Sequence, residues 1–402
     1  MKFRTIAWLL AGALTVLGSW LVITPGIDTA TIEEVRAHAA PELLLPLPHP
    51  DGGLQRREAV EQALRDLYDW RRGNRRVVAT RWAPLELGDP EVRRVIEILE
   101  AGPLDRSVEV QGTRASFITY TRGLTAAALV AADQHDWERV RRQMDAAFLV
   151  LDRLTGSDIV LDHPVTTMTV ETAVYKAILD LAKHRELPAA LATHWSAQLA
   201  IERHSPQQVR QFLRGDFQLV KLREIPAFEV GDSRTPRPWL GTGTYDPLET
   251  ATLISDSFVE LGNNAALPVS RWSNSASERI RQLQNAANPQ PAGLLSMLWL
   301  ELTYRARANN STNTLGRMLA GFGYTTPLMN SILKARTRRE QVAAALATAR
   351  FRQRKGRDPA GFDELIEAGL LQSIPQDHAR ERPQAFDLKA LFEWPAPGPR
   401  RN

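Results

Sequence analysis

No cysteine occurs anywhere in the 402 residues. Disulfides, a thiol nucleophile, Cys-ligated zinc, iron–sulfur clusters and lipidation of a cysteine are thereby excluded. Catalytic signatures are missing as well. There is no Gly-x-Ser-x-Gly elbow, no phosphate-cradling loop ending in Gly-Lys-Ser/Thr, and no His-Glu-x-x-His. Gly241-Thr242-Gly243 lacks a third glycine and reads as a turn. The eight histidines form no ligand set. His184, His194 and His204 are evenly spaced, but the interval does not return to one face of a helix. They read as residues near helix ends, where an imidazole bonds free carbonyls. Asp158, Asp162 and His163 precede Pro164 and read as a loop rather than a cation site. Carboxylates stand in no glycosidase context. The expectation is a chain with no metal and no cofactor, and one that leans away from being an enzyme.

Strand alternation is equally scarce, with Val77 to Trp82 and Ser107 to Gln111 as the plausible short strands. Only one long apolar run is present. Lys2 and Arg4 precede it, Thr5 to Ile23 carries no charge, and Thr24-Pro25-Gly26 ends it. A run of about 18 such residues can cross a bilayer as one helix. No acceptable Ala-x-Ala cleavage site follows closely, since Ala37-His38-Ala39 lies too far along. The expectation is an uncleaved single-pass anchor in a bacterial inner membrane, with a cleaved signal as the alternative. The two cations keep the N-terminus in the cytoplasm and place the bulk of the chain in the periplasm.

What remains is helical. Residues 1–25 are read as anchor or signal and 26–53 as a proline-rich tether. A helical-hairpin domain spans 54–225, a loop-rich helical region 226–330, and a basic long helix with a short helical tail 331–402. In the tether, Thr31-x-x-Glu34 has capping-box spacing and predicts a helix from Ile32 to about Ala40. Pro41, Pro46, Pro48 and Pro50 then favour extended backbone. Val60, Leu64, Leu67 and Tyr68 share a helix face, as do Val140, Met144, Phe148 and Leu151. Ala115 to Ala132 predicts a tightly packed helix joined to the next by the short turn His135-Asp136-Trp137. Further helices are expected over 170–184 and 188–202. Ser205-Pro206-Gln207-Gln208 is a strong start for another, and Asp246-Pro247-x-Glu249 for one ending at Gly262. Thr326-Pro327 begins the last long helix, which runs to about Lys355.

Two stretches carry a resemblance. The hairpin around Ala127-Ala128-Leu129 and Asp136-Trp137 is similar to the helix pairs of tetratricopeptide-like arrays. Gly356-Arg357-Asp358-Pro359 and Asp363-Glu364-Leu365, followed by Ile374-Pro375-Gln376-Asp377, resemble a tail found in uncharacterised bacterial envelope proteins built from an N-terminal anchor and helical hairpins. More distantly, the tail resembles the globular part of type II secretion pseudopilins. His378 stands where that pattern has a second proline, and the Gly-then-Glu processing site of a pseudopilin is absent. The resemblance implies an envelope protein and carries no assigned activity. In physical terms the tail predicts a helix–turn–helix closure. Gly356 stops the long helix, Pro359 sets the turn, and Phe362, Leu365, Ile366 and Leu370 form an apolar face.

The net charge of +4 points to no partner by itself. One basic stripe stands out as a candidate partner-binding feature: Lys334, Arg336, Arg338, Arg339, Arg350, Arg352, Arg354, Lys355 and Arg357. The helix face of Leu328, Ile332, Ala335, Val342 and Leu346 is expected to be buried, leaving these cations as a solvated face. A nucleic-acid partner is not expected beyond the membrane. The fold class expected is mainly all-α: a transmembrane helix, packed helical hairpins and a C-terminal closure. The function expected is a membrane-anchored envelope scaffold that binds a protein or peptide. The alternatives are an envelope hydrolase of cell-wall material and an accessory protein of a secretion or pilus-like machine.

Overall fold

The computed structural model of the protein describes residues 30–47, 52–73, 84–104, 113–156, 163–222, 225, 247–273, 275, 278 and 325–394. The apolar run 5–23 and the two expected strands lie outside the described residues. So does most of the expected loop-rich region. Among the described residues no helix is long and apolar enough to cross a membrane.

These residues are mainly helical, with almost no strand. Helix α1 (Ile32–Ala37) begins at the expected capping box. Glu34 N–H donates to Thr31 Oγ1 at 3.2 Å, and Thr31 N–H donates to Glu34 Oε2 at 2.7 Å. Pro41–Leu44 is not extended but forms one 3₁₀ turn. Pro41 opens it, a position where proline's missing N–H costs nothing. Then come α2 (Gly53–Gly73), α3 (Pro90–Glu100), α4 (Thr113–Asp133), α5 (Trp137–Gly156), α6 (His163–Ala182) and α7 (Ala189–Ala200). Helix α8 (Pro206–Asp216) starts at the second expected capping box, Ser205 with Gln208, and continues as a π turn over Phe217–Lys221. Helices α9 (Pro247–Asn264), α10 (Thr325–Lys355), α11 (Phe362–Glu367) and α12 (Leu388–Leu391) follow. Between α11 and α12, β1 (Gln376–Asp377) pairs antiparallel with β2 (Arg382–Pro383).

Contacts divide the chain into two compact units. One comprises Met1–Leu44, Lys221–Glu260 and Ser273–Gly323; the other comprises Leu45–Val220, Leu261–Trp272 and Tyr324–Asn402. In the first, the Ala40 N–H donates to Ser255 Oγ of α9 at 2.6 Å. Val35, Leu43, Ala251, Ile254 and Phe258 are buried there.

The second unit is built from helix pairs. Helix α2 packs on α3 and α4 on α5, while α2 also meets α4 and α3 meets α5. First helix thus lies on first helix and second on second. The apolar spacing explains the pairing: Val140, Met144, Phe148 and Leu151 of α5 are all buried. Close approach at one point requires glycine. The Leu85 N–H donates to the Gly123 carbonyl of α4 at 3.0 Å, and a Cβ on Gly123 would lie 2.5 Å from Leu85 Cγ. Helix α6 packs against α4 and α5, and the last long helix, α10, packs against both α6 and α7.

Helix α10 departs from the expected one-sided burial. Its central run, Val342 and Ala344 to Ala349, is buried all round. Alanine side chains let neighbours approach from every direction, and a helix that is apolar on all sides belongs in a core. Arginines flank this run on both sides, Arg336, Arg338 and Arg339 before it and Arg350, Arg352 and Arg354 after it.

Candidate functional site

One polar turn of α10, residues 336–341, precedes the alanine-rich stretch and collects the tertiary polar contacts of several segments. Arg336 Nη2 donates to the main-chain oxygen of His204, between α7 and α8. Arg338 Nη1 donates to Thr172 Oγ1 of α6 at 3.2 Å, and its guanidinium lies 4.7 Å from the Trp394 ring centroid. Thr337 Oγ1 accepts the His378 N–H at 3.0 Å. Glu340 accepts the Gln376 N–H through one oxygen and faces His378 Nε2 at 2.6 Å through the other. The Gln341 amide reaches the carbonyls of Ala390, Leu391 and Glu393 at 3.2, 3.2 and 3.0 Å, which stops α12.

Beside this turn lies a buried carboxylate–imidazole–phenol cluster. Glu171 of α6 is only 3% exposed. One of its oxygens accepts from the Tyr175 hydroxyl and the other faces His204 Nε2 at 2.8 Å. Arg203, next to His204, donates through Nη2 and Nε to Asp152 Oδ1 of α5 at 2.7 and 3.0 Å, and through Nη1 to the Gln198 carbonyl at 3.0 Å. Burial pushes the Glu171 carboxyl up. The His204 imidazole, its hydrogen bond, the Tyr175 hydroxyl and the Arg203 charge outweigh burial and hold it below the ordinary carboxylate value. Burial, and then the Glu171 charge, raise the Tyr175 hydroxyl well above its usual value. Glu340 behaves like Glu171: burial raises it, but His378, the Gln376 N–H and Arg339 bring it below the normal range. A general base must reach a substrate proton. Both oxygens of Glu171 are engaged with neighbours inside the fold, so the cluster is built to hold α6 to the α7–α8 connection.

The nine cations of the sequence stripe do not share one surface. Arg336 and Arg338 are more than half buried, and burial lowers both below their ordinary values. Arg352 pairs with Asp358 and lies 4.7 Å from the Phe392 ring centroid. Arg357 pairs with Glu364 at 2.7 Å and lies over Phe351. Arg350 is half-buried, while Lys334, Arg354 and Lys355 are exposed. Arg339 is half-buried beside Tyr175 and Glu340. The expected solvated face is therefore divided by the tail, whose aromatic rings cover two of its arginines.

His184 and His204 lie beside helix ends, two residues past α6 and two before α8, and only His194 departs from its expected place. His194 lies within α7, 2.8 Å from Asp145 of α5. His204 and His378 each meet one carboxylate, and neither pair is local in sequence. Nothing in the spacing marked Glu171 or Glu340 as their partners. Among the described residues, no group of three or more His, Asp or Glu side chains could hold a metal ion. Asp158 and Asp162 lie outside the described residues. Comparison with family models, curated proteins and solved structures returned no match.

Proposed function

We propose that this chain is a helical-pair scaffold that binds a protein or peptide partner while tethered at a bacterial inner membrane by residues 5–23. The observation that carries the binding reading is the stacking in the second unit, with α2 on α4 and α3 on α5. Helix pairs stacked in that way generate an extended surface made of repeated helix faces, a form suited to holding another chain. The internal commitment of Glu171, His204, Glu340 and His378 supports a binding role over a hydrolytic one. The tether reading is supported by the uncharged run behind Lys2 and Arg4.

Two measurements test it. The full chain, isolated from detergent-solubilised membranes, is expected to co-purify with a discrete protein in fixed ratio across repeats. Isolation of the chain alone each time contradicts the scaffold. The chain is expected to stay in the membrane fraction after carbonate washing and to leave it once residues 1–25 are deleted. Recovery of the full chain in the soluble fraction contradicts the tether and leaves the scaffold standing.

A further inference from the structure

Arg336 and Arg339 stand three residues apart on α10, so their side chains emerge as neighbours on one helix face. The Arg336 side chain is 16% exposed, and its Nη2 is taken by the His204 carbonyl. Its Nε is buried and has no hydrogen-bond partner. The nearest carboxylate oxygen, Glu202 Oε1, lies 3.8 Å away, at the outer limit of an ion pair. Arg339 is half-buried and makes no hydrogen bond or ion pair with any described residue. Like charges at this spacing repel, and a buried donor without an acceptor is costly. Their neighbour Arg338 does not share the problem, because Thr172 and Trp394 engage it.

We propose that Arg336 and Arg339 form a binding site for an oxyanion group, either a carboxylate or a phosphate. One anion oxygen accepts the free Arg336 Nε–H, and a second faces the Arg339 guanidinium, in the charge-assisted manner these groups favour. The surrounding acids leave room for it. Glu171 is engaged by His204 and Tyr175, and Glu340 by His378 and the Gln376 N–H. Glu202 is half-exposed and can swing into solvent as the anion enters. The site does not depend on the scaffold reading, since a free small anion and an acidic group on a partner offer the same chemistry.

The test is calorimetric titration of the full chain with inorganic phosphate and, separately, with glutarate. Saturable binding of at least one is expected, and the tighter probe assigns the group as phosphate or carboxylate. Arg339→Gln is expected to weaken binding about tenfold, the value of one charge-assisted contact. Arg142→Gln, an equal charge change at an exposed position of α5, is expected to leave it unchanged. Absence of saturable binding by both probes overturns the proposal. So does binding that Arg339→Gln leaves intact.

Discussion

His378 Nε2 stands 2.6 Å from Glu340 Oε1, across 38 residues of sequence. The same carboxylate takes the Gln376 main-chain N–H through its other oxygen. One acid in the polar turn of α10 therefore fixes both the side chain and the backbone of the β1–β2 ribbon. The ribbon in turn carries the chain toward α12, which Gln341 terminates one residue further along α10.

Acid is predicted to loosen this attachment. The folded state holds the Glu340 carboxyl below its reference value of 4.5. A depressed carboxylate contributes stability that is complete above the unfolded value and lost as pH falls through the folded one. Glu171 has the same sign. Glu340→Gln is expected to cost about 1.5–3 kcal/mol at neutral pH, the range for hydrogen bonds to charged groups. Denaturant unfolding of parent and variant from pH 7 downward checks this. Their difference must shrink below pH 4.5, and a constant difference would contradict the linkage.

Glu171→Gln tests the buried cluster separately. A neutral amide keeps the shape but removes the charge that His204 and Arg203 face, and its NH₂ only donates, so its single oxygen cannot replace both carboxylate oxygens toward Tyr175 and His204. A loss of about 1–3 kcal/mol is expected, with unchanged far-ultraviolet circular dichroism. A variant as stable as the parent would mean the cluster contributes nothing to holding α6.

Gly123→Ala is expected to destabilise by about 1–3 kcal/mol, because the new methyl meets the Leu85 side chain at 2.5 Å. Leu85→Ala removes the obstruction at the cost of a cavity. The double variant should therefore be more stable than the sum of the two single losses, and strict additivity in thermal melts would argue against the contact.

Phe392→Ala is expected to release the end of the tail. Phe392 is buried and lies under the Arg352 guanidinium. Limited proteolysis should then cut between Pro383 and Leu388 faster than in the parent, while α10 stays protected. Equal cleavage rates would show that the ribbon alone secures the tail.

Local features were legible in the sequence and remote ones were not. The capping boxes at Thr31–Glu34 and Ser205–Gln208 formed as their spacing indicated, since a cap depends on residues three apart. The buried face Val140, Met144, Phe148 and Leu151 followed from helical periodicity. Gly356 took its left-handed stop, at φ +70°. The surroundings of α10 were illegible for a physical reason. Its alanines have no apolar face to report, and its polar turn meets groups from α6, the α7–α8 connection and the tail. Glu340 stands among arginines in the sequence, yet its partner is His378. The β1–β2 ribbon, only two residues per strand, has no alternation to detect.

The place of α10 in the chain has a consequence for how the molecule is made. More than a hundred residues separate it from α7, yet it packs on both α6 and α7. Those helices must form and wait, with apolar surface uncovered, until residues 325–355 emerge from the ribosome. Pairings so distant in sequence close slowly. A nascent chain halted at residue 324 should bind an apolar dye strongly, and one released after residue 394 should not. The second unit is in this sense closed late: the helix that packs on both α6 and α7 is made more than a hundred residues after them.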